Sequence, residues 1–169
     1  MGVRVDVRSE LPCVHGKSLY RRSEFGLVYE TYEATSEVED KKLSDKIDQQ
    51  LGITSRNVFV MADTLTLVFS ERDGLFLSLD AYTNDDRWER SGGSKCPTGA
   101  TGALVLAEPV DDRVSLDVVP SYCFDGVDST LSIGFGVQPS RYFEIGEGLF
   151  VGIANGELAE VVLKHLQFE

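Results

Sequence analysis

Long hydrophobic runs are missing from this sequence. No stretch approaches the roughly 20 apolar residues that a helix needs to cross a bilayer. The opening Met-Gly-Val-Arg-Val-Asp-Val-Arg alternates charge with valine, unlike the continuous apolar core of a secretory signal. Asp6 stands where a myristoylation signal needs Ser or Thr. Cysteine is scarce: Cys13, Cys96 and Cys123 are odd in number, far apart and without CxxC spacing, which argues against a disulfide framework. Together these absences point to a soluble, cytoplasmic protein.

Positive charge is also in short supply. The chain carries 16 Lys and Arg against 28 Asp and Glu, a net charge of −12. Residues 96–169 hold 3 basic against 11 acidic residues, a balance of −8, whereas 1–95 hold 13 against 17, a balance of −4. Such a field repels phosphate, so binding to nucleic acid or to an anionic membrane is not expected. It suits a basic protein partner, although solubility alone also accounts for it.

Catalytic motifs are absent. There is no G-x-S-x-G, no P-loop and no G-x-G-x-x-G leading from a strand into a helix. Only two histidines exist, His15 and His165. Cys13 and His15 sit at i and i+2 and share a side of an extended segment, but a nucleophilic dyad needs a third group to orient the base. The same two residues with Cys96 and Cys123 could ligate zinc, yet their spacing is unlike paired-ligand patterns. Asp80-Ala-Tyr-Thr-Asn-Asp-Asp lacks the alternating oxygens of a calcium loop. No metal, no cofactor and no catalytic residue is assigned, and the balance leans away from an enzyme.

What the sequence does contain is β pattern. Val3, Val5 and Val7 alternate with charged residues, and Phe25-Gly-Leu-Val-Tyr-Glu-Thr-Tyr is rich in aromatic and β-branched types. Residues 58–61, 64–70 and 75–82 read as a meander turned at Ala62-Asp63 and at Glu71-Arg-Asp-Gly74. Further strands fall at 103–107, 114–119, 130–135, 142–145 and 148–154. Asn155-Gly156 is a strong hairpin signal, which favours a strand over a helix for 157–166. One helix is predicted at about 36–51: Ser36 with Glu39 forms a capping box, Leu43, Ile47 and Leu51 share a face, and Gly52 is placed to end it.

Two stretches echo each other. Thr130-Leu-Ser-Ile-Gly-Phe135 repeats Thr64-Leu-Thr-Leu-Val-Phe69 in kind, and Gly148-Leu-Phe-Val repeats Gly74-Leu-Phe-Leu. A true duplication would place Thr64 on Thr130 and Gly74 on Gly148. The alternative is two hairpins meeting the same demands.

The expected fold is α+β and mainly β. It has about eight to ten strands in antiparallel meander sheets, as a sandwich or an open barrel, with the one amphipathic helix at 36–51. Residues 1–169 form a single domain, divisible into β halves at 1–82 and 103–169 joined by an irregular loop at 83–102. That loop holds the only tryptophan, Trp88, flanked by Arg87 and Arg90, and the ring is either an interaction anchor or a plug for the core. The candidate binding residues are Trp88, Arg87 and Arg90 with the acidic groups Asp111, Asp112, Asp125 and Asp128. The leading function is a non-catalytic acidic binding or regulatory protein, inhibitor- or immunity-like, that docks a protein partner, plausibly a basic one. The alternative is a β-barrel protein that holds a small ligand near Trp88, with modest enzymatic activity. Self-association through an edge strand is the third course.

Overall fold

The computed structural model describes residues 2–31, 57–92, 97–108 and 110–169. The period-2 alternation of the sequence becomes strand almost throughout. In chain order these are β1 (Val5–Arg8), β2 (Gly16–Arg21), β3 (Gly26–Thr31), β4 (Asn57–Ala62), β5 (Leu65–Ser70), β6 (Phe76–Tyr82), β7 (Glu89–Ser91) and β8 (Ala100–Thr101). They continue as β9 (Ala103–Leu106), β10 (Arg113–Leu116), β11 (Ser121–Asp125), β12 (Thr130–Gly134), β13 (Arg141–Gly146), β14 (Leu149–Ala154), β15 (Glu157–Leu163) and β16 (Gln167–Phe168). The surplus over eight to ten strands comes from short flanking segments such as β7, β8 and β16.

The expected α+β class is corrected. Among the described residues there is no α-helix, only two single-turn 3-10 segments at Arg22–Glu24 and Asp85–Arg87, and the architecture is all β. The helix predicted at 36–51 lies outside the described residues. Every described segment of any length pairs its backbone with a neighbouring strand, which is how an alternating sequence satisfies its amides while burying one face.

Two seven-stranded sheets pack around one apolar core, with β1 and β9 as a separate antiparallel pair. The sandwich expectation holds. The first sheet runs β10-β4-β5-β6-β3-β2-β16 and the second runs β8-β13-β14-β15-β12-β11-β7. These are the same order. Each centre is a hairpin beside a three-strand meander, all antiparallel, and each outermost strand joins in parallel: β10 on β4, β16 on β2, β8 on β13, β7 on β11. Antiparallel meander sheets were expected; the centres are built so, and the parallel edges are the departure.

The correspondence extends to single bonds. The β5–β6 ladder shifts register between Val68 and Phe69, and the β14–β15 ladder between Gly152 and Ile153, the same step of each, with the extra residue on β6 and on β15. After the meander, Tyr82 donates to the Thr64 carbonyl at 3.2 Å and Lys164 to the Gly148 carbonyl at 2.7 Å. Val5 donates to the Gly156 carbonyl and Leu106 to the Gly74 carbonyl, both at 2.9 Å. Gly74 (φ 72°) and Gly156 (φ 77°) are counterparts in tight turns that need positive φ. Buried side chains follow suit: Leu27 with Leu131, Leu65 with Leu149, Leu79 with Val161, Tyr20 with Phe124.

The hairpin echo read in the sequence is therefore displaced. The strand at 65–70 corresponds to 149–154, not to 130–134, and Gly74 corresponds to Gly156, not to Gly148. In the first half β5 and β6 are direct neighbours, whereas β12 and β14 are separated by β15. The two stretches that look alike meet the same local demands in different places of the repeat.

The halves are also interlaced. β7, which follows the first meander, lies in the second sheet, and β16, which follows the second meander, lies in the first. Val14 bridges in parallel to Gly146 in the second sheet, as β10 runs along β4 in the first. The 83–102 segment is part of this exchange, because its described residues supply both edge strands of the second sheet.

Candidate functional site

Two places concentrate side-chain chemistry. The first is the end of the sandwich where β7 and β16 cross. Asn84 caps the short turn that follows β6, its Oδ1 accepting from the Asp86 amide at 3.0 Å. That turn inserts Trp88 at the position where the second half has Leu166. Trp88 is 4% exposed, with Tyr20 at 4.8 Å between ring centroids, Phe124 at 5.9 Å, Tyr122 at 6.2 Å and Phe168 at 6.4 Å. Its Nε1 donates to Thr83 Oγ1 at 2.9 Å, which satisfies the one polar group of the ring.

A buried carboxylate closes this cluster. Asp85 Oδ2 accepts from Arg22 Nε at 3.1 Å, and its carbonyl accepts from Arg90 Nη2 at 3.1 Å. The Tyr20 hydroxyl donates to the Thr83 carbonyl at 2.7 Å and accepts from the Asp85 amide at 3.1 Å. Burial pushes the Tyr20 hydroxyl above its ordinary pKa, so it remains a neutral donor. The guanidinium of Arg90 lies over Phe124 at 5.1 Å and that of Arg22 over Phe168 at 5.1 Å. Tyr20, Asp85 and Trp88 each have hydrogen-bond partners, and among the described residues of the cluster no nucleophile stands beside a base.

The second place is a groove of about 290 Å³ beside the Asp63 turn, lined by Asp63, Leu116, Asp117, Val118 and Val119. Asp63 takes the left-handed conformation (φ 54°) between β4 and β5. Leu116 is buried at the end of β10, and Val119 is 76% exposed. The Tyr122 hydroxyl is pushed up to about 12, first by burial and then by the charge of Asp63. Beside the same turn, Thr64 Oγ1 donates to the Tyr82 carbonyl at 2.5 Å, and Tyr82 stands 62% exposed with an edge contact to Phe25 at 5.9 Å.

No protein-family model and no curated protein matches this chain.

The candidate residues from the sequence are scattered. Trp88 is in the core, Arg90 braces the same cluster, and Arg87 is exposed on the turn above it. Asp125 is 2% exposed and accepts from the Val127 amide at 2.9 Å, a turn-forming role between β11 and β12. Asp128 is half-buried in the same turn. Asp111 and Asp112 are exposed ahead of β10, and the Asp112 carbonyl accepts from the Phe59 amide at 2.9 Å. The sequence reading passed over Asp63 and Asp117, because each looks like an ordinary turn aspartate until β10 is seen to run along β4.

The Cys13/His15 pair resolves differently from a dyad. His15 Nδ1 lies 2.6 Å from Glu147 Oε1, with both side chains exposed. Among the described residues no group of three His, Cys, Asp or Glu is placed to hold a metal, and Cys96 lies outside them. No helix among them is long and apolar enough to cross a membrane.

Proposed function

We propose that this chain is a non-catalytic acidic protein of the cytoplasm that docks a basic protein partner, in the manner of inhibitors, immunity proteins and regulatory modules. The observation that carries the reading is the packed Trp88. The rival, a barrel holding a small ligand with modest activity, needs an open apolar space beside that ring. Instead Tyr20, Tyr122, Phe124 and Phe168 surround it and its N–H is satisfied.

Charge gives the sign of the partner. The net −12 disfavours nucleic acid and anionic membranes and favours a basic surface. Self-association by strand pairing has less support, because the outermost strands β7, β8, β10 and β16 hold only three, two, four and two residues.

The test is affinity capture on the immobilised full chain at about 0.05 M salt, repeated at about 0.5 M, where the screening length is several-fold shorter. A discrete basic protein retained at low salt and released at high salt is expected. Retention of nothing, or retention that is indifferent to salt, would overturn the reading.

A further inference from the structure

The repeat supplies an internal comparison for the groove. Leu116 pairs in parallel with Ala62, and Val14 pairs in parallel with Gly146, at corresponding ends of β4 and β13. One residue further along each chain are Asp117 and His15 on one side, Asp63 and Glu147 on the other. The groove of the first sheet and the His15–Glu147 pair of the second are thus the same location in the two halves.

They are filled differently. At the second, the turn carboxylate of Glu147 is met by the His15 imidazole at 2.6 Å. At the first, an acid stands in the histidine position, so Asp63 and Asp117 line one groove with no basic residue among those that form it. The chain also differs in length just there. His15 is followed at once by Gly16 and β2, whereas Asp117 is followed by Val118, Val119 and Pro120 before β11 begins. These additional valines form the apolar wall of the groove. The two changes act together: one removes the internal partner, and the other opens the space for an external one.

We propose that this groove seats a lysine or arginine side chain of the partner protein. Its cationic head takes, between Asp63 and Asp117, the place that the imidazole holds on Glu147. Its aliphatic stem lies along Leu116, Val118 and Val119, as long basic side chains do when charge and apolar surface adjoin. The exposed Tyr82 and Phe25 beside the Asp63 turn extend the contact for residues flanking the cation. The proposal rests on the docking function above and names the position at which it operates.

The experiment is a chemical-shift titration of the full chain with acetyl-Val-Lys-Val-amide and with its neutral counterpart, acetyl-Val-norleucine-Val-amide. Saturable shifts confined to Asp63, Asp117, Val118, Val119 and their neighbours are expected with the lysine peptide. Binding about fivefold weaker is expected with norleucine. Asp117→His rebuilds in the groove the pair that its counterpart holds, and should weaken the lysine peptide by a similar factor without changing the thermal midpoint. Equal binding of the two peptides, or an Asp117→His chain that binds lysine as before, overturns the proposal. The two readings fail separately. A basic protein captured equally well by Asp117→His leaves the docking function standing and removes the groove. Lysine-selective shifts at the groove without any captured protein keep the groove and remove that function.

Discussion

The two sheets share strand order, parallel edges and a bulge at the same step, yet hardly any residues. Their central meanders read Leu-Thr-Leu-Val-Phe-Ser in one and Leu-Phe-Val-Gly-Ile-Ala in the other. What persists is which positions are buried, not which side chains fill them, because a sheet face needs apolar volume of about the right size and tolerates exchange. Two of the differences lie where the flanking segments cross. There the first half adds the 3-10 turn that carries Trp88, and the second half adds the two valines before β11.

The largest test of this comparison sets Trp88 against Leu166. Both close the sheet at corresponding places and both are 4% exposed. Trp88→Ala also strips the Thr83 bond and the centre of the aromatic cluster, so a loss of about 3–5 kcal/mol is expected. Leu166→Ala should cost about 2–4 kcal/mol. Urea midpoints of the two variants measure the gap; equal losses would mean that the cluster contributes no more than an ordinary leucine contact.

A second pair lies at the end of β4 and β13. Ala62 is 2% exposed, while its counterpart is Gly146. A Cβ on Gly146 would sit 2.6 Å from the Tyr29 hydroxyl, which donates to the Glu147 carbonyl at 3.0 Å. Gly146→Ala should therefore cost about 1–3 kcal/mol by overpacking. Adding Tyr29→Phe should return part of the loss, although it also removes the hydrogen bond. Thermal unfolding of the single and double variants reads the coupling, and strict additivity would show that the two groups do not clash.

The smallest effect is pH-dependent and belongs to one half only. Burial, and then the Asp63 charge, push the Tyr122 hydroxyl up to about 12 in the folded chain, against about 10 in an unfolded one. The unfolded state thus releases its proton first. The contribution of this group is intact below about pH 10 and is lost as pH rises toward 12. Discounted for partial exposure, this is about 1–2 kcal/mol. Tyr122 corresponds to Ser18 in the other half, so Tyr122→Phe should flatten the fall in stability between about pH 10 and pH 12, as followed by urea midpoints. An unchanged slope would place the alkaline sensitivity on other tyrosines, such as Tyr142 beside Glu160.

The β content was legible because alternation is local. Asn155-Gly156 foretold the turn into β15, and Asp73-Gly74 the turn into β6. The repeat was not legible in its true register. Thr64 and Thr130 resemble each other by composition, while the real counterparts, Leu65 and Leu149, are related only through ladders formed with residues far along the chain. The groove was hidden for the same reason. Asp63 and Asp117 are 54 positions apart, and only the parallel run of β10 along β4 brings them to one place. Trp88 was recognised as notable, but whether a ring beside two arginines faces outward depends on Phe168, from the last strand described.

That last strand has a consequence for how the chain comes into being. β16 lies along β2, and β7 along β11, so neither sheet has its full set of strands until the other half is present. A ribosome that has released residues 2–92 has released a sheet lacking two of its seven strands. Completion waits for residues 167–168, and the pairings that finish the molecule span nearly its whole length. Folding by such distant contacts is slow relative to helical chains of this size, and the nascent first half exposes strand edges in the meantime.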